Sequence, residues 1–374
     1  MKKFSIAVLV ILLVLVMSLP RSLESYAQTI VNACKTRAYR PACYEKEIPK
    51  LMEKISMEDA FAVTKFVQEK DPQFAYCHVV AHILTERETK KNASQWKNVM
   101  LRCPMATCNY GCLHGSLIAR FRGESLSDEQ IEEMIPDISD VCEPRIGFNP
   151  TPIEKTMCYH GIGHLAMYMT DGKPEKSIPI CERVGKEYVK TCVEGIFMTV
   201  FQSIDPEDLA LVIDIKPKKE GVADFCKAFG SYWQHCRRES FFLFLQEAEN
   251  PQKLNSLCSY AIDQESRRDC YWAYVNVITD KAFERGQGIT SINSYCKNVP
   301  WCYSGAAMRL VQVDPANNIR LANEICQMAQ NDTSDCYNNL LYYATFSFSA
   351  QSELFVSYCQ ALSDPWRNQC LSQK

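Results

Sequence analysis

Five of the six histidines of this 374-residue chain fall in three short segments, each of which begins with a cysteine. The segments read Cys-His-Val-Val-Ala-His from residue 77, Cys-Leu-His-Gly from residue 112 and Cys-Tyr-His-Gly-Ile-Gly-His from residue 158. Histidines scattered over a surface would not cluster in this way. Because imidazole is a common ligand of transition metals, the segments predict a metal site.

The spacing within the segments supports this prediction. Two segments contain H-x-x-x-H, and residues four apart lie on one face of a helix, so both imidazoles can reach one ion. The remaining segment places His114 two residues after Cys112, the same offset that His160 has after Cys158. Glu194 has this offset after Cys192. If similar helices stack side by side, residues at the same offset from the cysteine form a row. The predicted ligands of a divalent metal are His78, His82, His114, His160 and His164.

Neutral imidazoles suit zinc, copper or iron. A bound metal could activate water for hydrolysis or support oxidation, and the sequence does not choose between a hydrolase and an oxidase. Glu194 and Tyr159 are the candidate acid–base groups. The H-E-x-x-H motif of zinc proteases, the P-loop and the G-x-G-x-x-G fingerprint are all absent from the sequence. The structural alternative is that the histidines are buried, hydrogen-bonded packing residues.

Two further features of this region need an explanation. Gly115, Gly161, Gly163 and Gly195 fall just inside predicted helix starts, where glycine costs about 0.5–1 kcal/mol relative to alanine. Close helix approach explains them, and space for a ligand is the alternative. The sixth histidine, His235, precedes a cysteine and is interpreted as a turn residue.

The cysteines show how these segments are positioned. Half of the twenty recur roughly every 34 residues, with longer gaps at 112–158 and 192–236, and most have a second cysteine 6 to 16 residues before them. A polar, turn-prone stretch usually separates the two, which predicts two helices joined by a turn and clamped by a disulfide. The predicted pairs are Cys34 with Cys43, Cys103 with Cys112, Cys142 with Cys158, Cys181 with Cys192, Cys226 with Cys236, Cys258 with Cys270, Cys296 with Cys302, Cys326 with Cys336 and Cys359 with Cys370.

Cys77 and Cys108 fall outside this pattern. A disulfide between them would account for all twenty cysteines, and a free thiol pair at a redox or metal site is the alternative. The exact connectivity around Cys77, Cys103 and Cys108 stays open.

A unit of two helices and about 34 residues resembles tetratricopeptide-like repeats, and in particular cysteine-rich variants in which a disulfide joins the two helices. The resemblance covers residues 30–374 and is architectural, because the usual tetratricopeptide consensus is absent. It implies an all-α fold, an α-solenoid of about ten two-helix repeats, that binds partners on a concave surface.

Within this fold we expect one domain over residues 28–374, with a histidine-bearing half (28–203) and an aromatic-rich half (204–374). The long gaps predict a capped acidic helix within 122–157 and a charged loop within 204–224. The aromatic half supports an alternative function, a non-catalytic scaffold that binds a protein or a glycan. Core packing is the other explanation of its aromatic residues, which are Tyr271, Trp272, Tyr274, Trp301, Tyr303, Tyr342 and Tyr343.

The N-terminus predicts export. A basic start is followed by an apolar run over residues 4–19 and by Ser25-Tyr26-Ala27, which resembles a signal-peptide cleavage site after Ala27. The signal peptide would then be residues 1–27, with an uncleaved anchor as the alternative. So many cysteines indicate an oxidising compartment: secreted, periplasmic or cell-surface. A net charge of -3 with no basic stripe predicts no nucleic-acid partner, and we expect no membrane span after cleavage.

Overall fold

The computed structural model describes residues 22–37, 39–71, 74, 77–104, 108, 111–121, 126–145, 149–203, 206–350 and 352–373, without the side chains of residues 114, 117, 118, 121, 137, 206, 207 and 331. This part of the chain is helical and contains no β-strand. The prediction of an all-α fold is confirmed. The chain divides into two compact units, residues 1–75 and residues 76–374.

The first unit contains α1 (Leu23–Cys34), α2 (Arg40–Glu47) and α3 (Met57–Lys70). Ser22 and Ser56 cap α1 and α3, because their side chains accept hydrogen bonds from backbone N–H groups that a helix start leaves unpaired. Most of the predicted signal peptide lies outside the described residues. Its predicted cleavage site lies inside α1, where Ala27 is buried.

The second unit contains the remaining helices and all the histidines. In chain order they are α4 (His78–Lys91), α5 (Trp96–Leu101), α6 (Gly111–Phe121), α7 (Asp128–Ser139), α8 (Pro152–Met169), α9 (Pro174–Val184), α10 (Val189–Phe201), α11 (Pro206–Val212), α12 (Val222–Lys227), α13 (Trp233–Glu239), α14 (Leu245–Ala248), α15 (Pro251–Leu257), α16 (Gln264–Glu284), α17 (Gly288–Cys296), α18 (Cys302–Val313), α19 (Pro315–Met328), α20 (Thr333–Ser347), α21 (Glu353–Gln360) and α22 (Trp366–Ser372).

The predicted acidic helix is α7, which begins with a capping box between Ser127 and Gln130. The charged segment 204–224 contains two short helices, α11 and the start of α12, joined by a loop. Both long gaps between repeat cysteines therefore hold additional helical structure.

All ten predicted disulfides are formed, and every pairing is the one that the sequence predicts. They join Cys34 to Cys43, Cys77 to Cys108, Cys103 to Cys112, Cys142 to Cys158, Cys181 to Cys192, Cys226 to Cys236, Cys258 to Cys270, Cys296 to Cys302, Cys326 to Cys336 and Cys359 to Cys370. No described cysteine is free. The thiol-pair alternative for Cys77 and Cys108 is therefore wrong.

The nine short disulfides clamp helical hairpins as predicted. The first cysteine lies near the end of one helix, and the second lies in the next helix. Cys43, Cys112 and Cys236 lie within the first turn or so of α2, α6 and α13, whereas Cys158 and Cys270 lie one to two turns after the starts of α8 and α16. The second helix of a hairpin can therefore begin before its cysteine.

The second helices of successive hairpins pack against each other in a row, α4 on α6, α6 on α8, α8 on α10, α10 on α13, α13 on α16, α16 on α18 and α18 on α20. This packing is repeat-like. However, α20 also packs against α8, and Ile153 and Met157 of α8 join the hydrophobic cluster that contains Leu340 and Tyr343 of α20. In an open solenoid each repeat contacts only its neighbours. This contact joins distant repeats, so an open solenoid is not confirmed.

The aromatic residues of the later hairpins form much of that cluster. Tyr271, Tyr274, Tyr303 and Tyr343 are buried in it, whereas Tyr342 is 58% exposed. Core packing therefore explains most of the aromatic pattern.

Candidate functional site

The first histidine pair lies in the first two turns of α4. The Nε2 atoms of His78 and His82 are 3.0 Å apart. The Nδ1 atom of His78 is 3.1 Å from the carbonyl oxygen of Cys108, which the Cys77–Cys108 disulfide holds beside the start of α4. A carbonyl can only accept, so Nδ1 donates, and the Nε2 atom of a neutral His78 carries a lone pair that faces His82.

The second pair lies in the middle of α8 and has the same arrangement. The Nε2 atoms of His160 and His164 are 3.2 Å apart. The Nδ1 atom of His164 lies 2.8 Å from the hydroxyl oxygen of Thr199, and that hydroxyl donates its proton to the carbonyl of Gly195. The hydroxyl therefore accepts from Nδ1–H, and the Nε2 atom of a neutral His164 has a lone pair directed at His160.

The other ring of this pair, His160, lies against Met198 of α10. The Thr191 backbone favours the protonated form of this ring, whereas burial opposes it. Which ring nitrogen of His160 carries the proton depends on its tautomer.

A third donor atom, the sulfur of Met198, completes this group. Its Sδ atom is 3.3 Å from the Nε2 atom of His160. Met198 is not among the ligands that the sequence predicts, because those are imidazoles and a carboxylate. A signal was present, since Met198 follows Cys192 by six residues, as His164 follows Cys158. The packing of α8 on α10 brings these equal offsets together.

Glycine allows this close packing. A Cβ atom on Gly163 would overlap the carbonyl oxygen of Cys192, and one on Gly195 would overlap the carbonyl oxygen of His160. A Cβ atom on Gly115 in α6 would lie 2.8 Å from the Cα atom of His82 in α4. For these three positions, close helix approach, rather than space for a ligand, explains the glycines.

The protein environment keeps the second pair neutral near pH 7. Burial lowers the pKa of His160 to about 4, and the neighbouring charges of Arg238 and His78 act in the same direction. Burial also holds the pKa of His164 well below its ordinary value, and the charges of His160 and His78 add to this effect. His78 is therefore within electrostatic range of the second pair, although it lies two hairpins earlier. Helices α4 and α8 both pack on α6.

Glu194, a predicted acid–base group, is held in an ionic network. Its Oε1 atom lies 2.8 Å from Nη1 of Arg238 and 3.1 Å from Nδ1 of His235, and Arg238 also binds Glu239. Burial opposes ionisation of Glu194, yet Arg238 and His235 hold its pKa at about 2. The negative charge of Glu194 is thus offset by Arg238.

The interpretation of His235 as a turn residue is wrong. His235 lies in α13, which begins at Trp233, before Cys236, the second cysteine of its hairpin. The residue that precedes this cysteine is therefore already helical, and its side chain points to Glu194 on the neighbouring helix.

Tyr159, the other predicted acid–base group, has the contacts of a packing residue. It is fully buried, its hydroxyl donates to Oε1 of Glu143 at 2.6 Å, and its ring stacks on Tyr188 with centroids 4.9 Å apart. Burial and the hydrogen bond to Glu143 raise its pKa. A role of Tyr159 in catalysis stays a prediction.

His114 lies in α6, between the helices of the two pairs, and its side chain is outside the described part of the structure. Among the side chains that are described, no three from His, Cys, Asp and Glu are arranged to hold one metal ion. The candidate site therefore consists of two facing histidine pairs, the second of which has the thioether of Met198 beside it.

No family model, no curated protein and no solved structure matches this chain. The described structure alone therefore defines its class: a disulfide-rich, all-helical protein built from hairpins that disulfides clamp. None of the described helices is both long enough and apolar enough to span a membrane.

Proposed function

We propose that this chain is an exported protein that binds a transition-metal ion, zinc, copper or iron, through the facing Nε2 atoms of its histidine pairs. The observation that carries the proposal is the way these rings are held. The Nδ1–H groups of His78 and His164 donate to a backbone carbonyl and to a hydroxyl, and the Nε2 atom of each ring faces the other ring of its pair.

The distances fit a shared metal ion. Two imidazole nitrogens that bind one ion at about 2.0–2.1 Å are about 2.8–3.4 Å apart for ligand angles between 90° and the tetrahedral value. The Nε2 atoms are 3.0 Å apart in the first pair and 3.2 Å apart in the second.

The pairs also have a second explanation. If one ring of a pair carries its proton on Nε2, it donates a hydrogen bond to the other ring, and no metal is required. The second pair, which has the Met198 sulfur beside it, is the primary site in this proposal, and the first pair is a secondary site. His114, which lies on the helix between them, stays a predicted ligand. Hydrolase or oxidase activity also stays a prediction.

Export is supported by the ten disulfides, which persist in oxidising compartments. N-terminal sequencing of the mature protein tests it, and we expect the chain to begin near Gln28. Cleavage there would remove Ser22, the residue that caps α1, and Glu24, which pairs with Lys70. A mature chain that still begins at Met1 would favour the uncleaved anchor.

Metal analysis of untagged, disulfide-intact protein tests the binding. We expect close to one bound ion per chain after equilibration with zinc, copper or iron and removal of excess metal. If the protein stayed metal-free in all three titrations, the histidines would be packing residues. The alternative, a scaffold that binds a protein or a glycan, would then be favoured.

A further inference from the structure

We propose that His160, His164 and Met198 form a site for monovalent copper. This inference rests on the proposed metal-binding function and names the ion for its primary site. Two imidazole nitrogens and one thioether sulfur converge here, with Nε2 of His160 at 3.2 Å from Nε2 of His164 and 3.3 Å from Sδ of Met198.

The chemistry of these donors favours a soft cation. Thioethers select Cu(I) over the harder divalent ions, and imidazole binds copper well. Both of these donor types meet at His160, whose Nε2 atom faces the second imidazole and the thioether sulfur.

The charge of the site points the same way. Two neutral imidazoles and a thioether bring no negative charge, and a single positive charge costs less to bury among such donors than a double one. The nearby carboxylate of Glu194 is bound by Arg238 and His235. It therefore does not supply the free negative charge that a divalent ion would favour.

The donors are also held in place before any ion binds. The ring of His164 is held by Thr199 on α10, the helix that also carries Met198. The contact between Gly163 and Gly195 locks α8 onto α10. Rigid placement reduces the ordering cost of binding, which raises affinity.

The test compares Met198→Leu with the wild-type protein and with Met308→Leu. Met308 follows Cys302 by six residues, the offset of Met198, but lies in α18, outside the histidine region. Leucine approximates the volume of methionine, so both variants should fold. The probes are Cu(I), held by a colorimetric chelator, and Ag(I), which requires no reductant and leaves the disulfides intact. Zn(II) is the divalent comparison.

We expect Met198→Leu to weaken Cu(I) and Ag(I) binding at least about tenfold, because even the loss of a residue that only hydrogen-bonds to a metal ligand weakens binding by this factor. Zn(II) binding should change by less than about threefold. Met308→Leu should change neither. Equal loss of all three ions, or no loss of Cu(I), would overturn the copper assignment and leave metal binding itself intact. A wild-type protein that binds none of the ions would instead overturn the proposed function.

A measurement on the wild-type chain covers the case in which Met198→Leu fails to fold. X-ray absorption at the copper edge should show one sulfur and two nitrogen scatterers around Cu(I). A shell of nitrogen and oxygen alone would contradict the assignment.

Discussion

The helix pairs α8/α10 and α16/α18 share the same clamped-hairpin design but meet in different ways. In the first pair, Gly163 and Gly195 bring backbone against backbone. In the second, Gly305 faces the ring of Trp272, whose Cδ1 atom would lie 2.7 Å from an added Cβ. The positions two residues after the repeat cysteine differ accordingly, with His160 in α8 and the buried Ser304 in α18.

This difference shows that the same hairpin design accommodates two kinds of helix contact. Where glycine fills the contact, polar side chains on α8 and α10 reach each other across it. Where the ring of Trp272 fills the contact, the position that His160 takes in α8 carries the small, buried Ser304 in α18. Variants on the two sides of this difference should therefore differ in metal binding and in stability.

The largest effect is expected from His160→Ala. It removes the nitrogen that faces both other donors, so metal affinity at the primary site should fall at least about a hundredfold. Helix content should change little, because alanine is a good helix former. Competition titration and circular dichroism measure the two. Ser304→Ala, at the same offset in α18, is the control and should leave metal binding unchanged. If His160→Ala unfolded the protein and the wild type bound no metal, the histidines would be structural.

Substitution of the two glycines tests the helix contacts. Gly163→Ala should lower the free energy of unfolding by about 3 kcal/mol, because the new methyl group meets the backbone of α10, which cannot shift easily. Gly305→Ala should cost about 1 kcal/mol, because an indole ring can rotate away and alanine favours the helix. Denaturant unfolding measures both.

Gly221→Ala is the control, since the nearest atom to its added Cβ is 3.8 Å away, and it should be close to neutral. A cost at Gly305 equal to that at Gly163 would mean that the two contacts do not differ in rigidity.

Removal of the Cys326–Cys336 disulfide, with serine at both positions, should destabilise the protein by about 2–3 kcal/mol, since the closed loop is short. Because α20 packs against α8, hydrogen exchange should become faster in both helices, while α4 keeps its protection. The matched variant at Cys359 and Cys370 lies at the end of the chain and should leave α8 unchanged. Faster exchange confined to α19 and α20 would indicate an open solenoid instead.

The smallest effect concerns pH. Burial opposes ionisation of Glu143, but hydrogen bonds from Lys155, Tyr159 and Lys186 lower its pKa from 4.5 to about 2. The ionised carboxylate therefore stabilises the folded state above about pH 4.5, and this stabilisation is lost as the pH falls towards 2. Glu143→Gln should cost about 1 kcal/mol at pH 7, after allowance for solvent screening, and should flatten the loss of stability between pH 4.5 and 2. If this variant lost as much stability between pH 4.5 and 2 as the wild-type protein, the loss would not be due to Glu143.

Much of the architecture could be predicted because local spacing encodes it. Each clamp joins cysteines 6 to 16 residues apart, so the nine short pairings follow from the polar stretches between them. The sequence left Cys77 and Cys108 over without deciding their connectivity, and the structure joins them. The contact of α20 with α8 could not be predicted in this way, because it joins residues 152–169 to residues 333–347, roughly 180 positions further along the chain, and leaves no periodic signal. His235 was misinterpreted for a related reason, since its partner Glu194 is 41 residues away.

The sequence by itself determined the helical hairpins, their disulfides and the histidines that share a helix face, because these depend on residues within a few turns of one another. Only the tertiary structure decided which atoms surround those histidines. The sulfur of Met198, the hydroxyl of Thr199 and the carbonyl of Cys108 reach the imidazole rings from other segments. Their positions follow from glycine contacts between helices and from the Cys77–Cys108 disulfide, and those distances depend on packing that no single helix encodes.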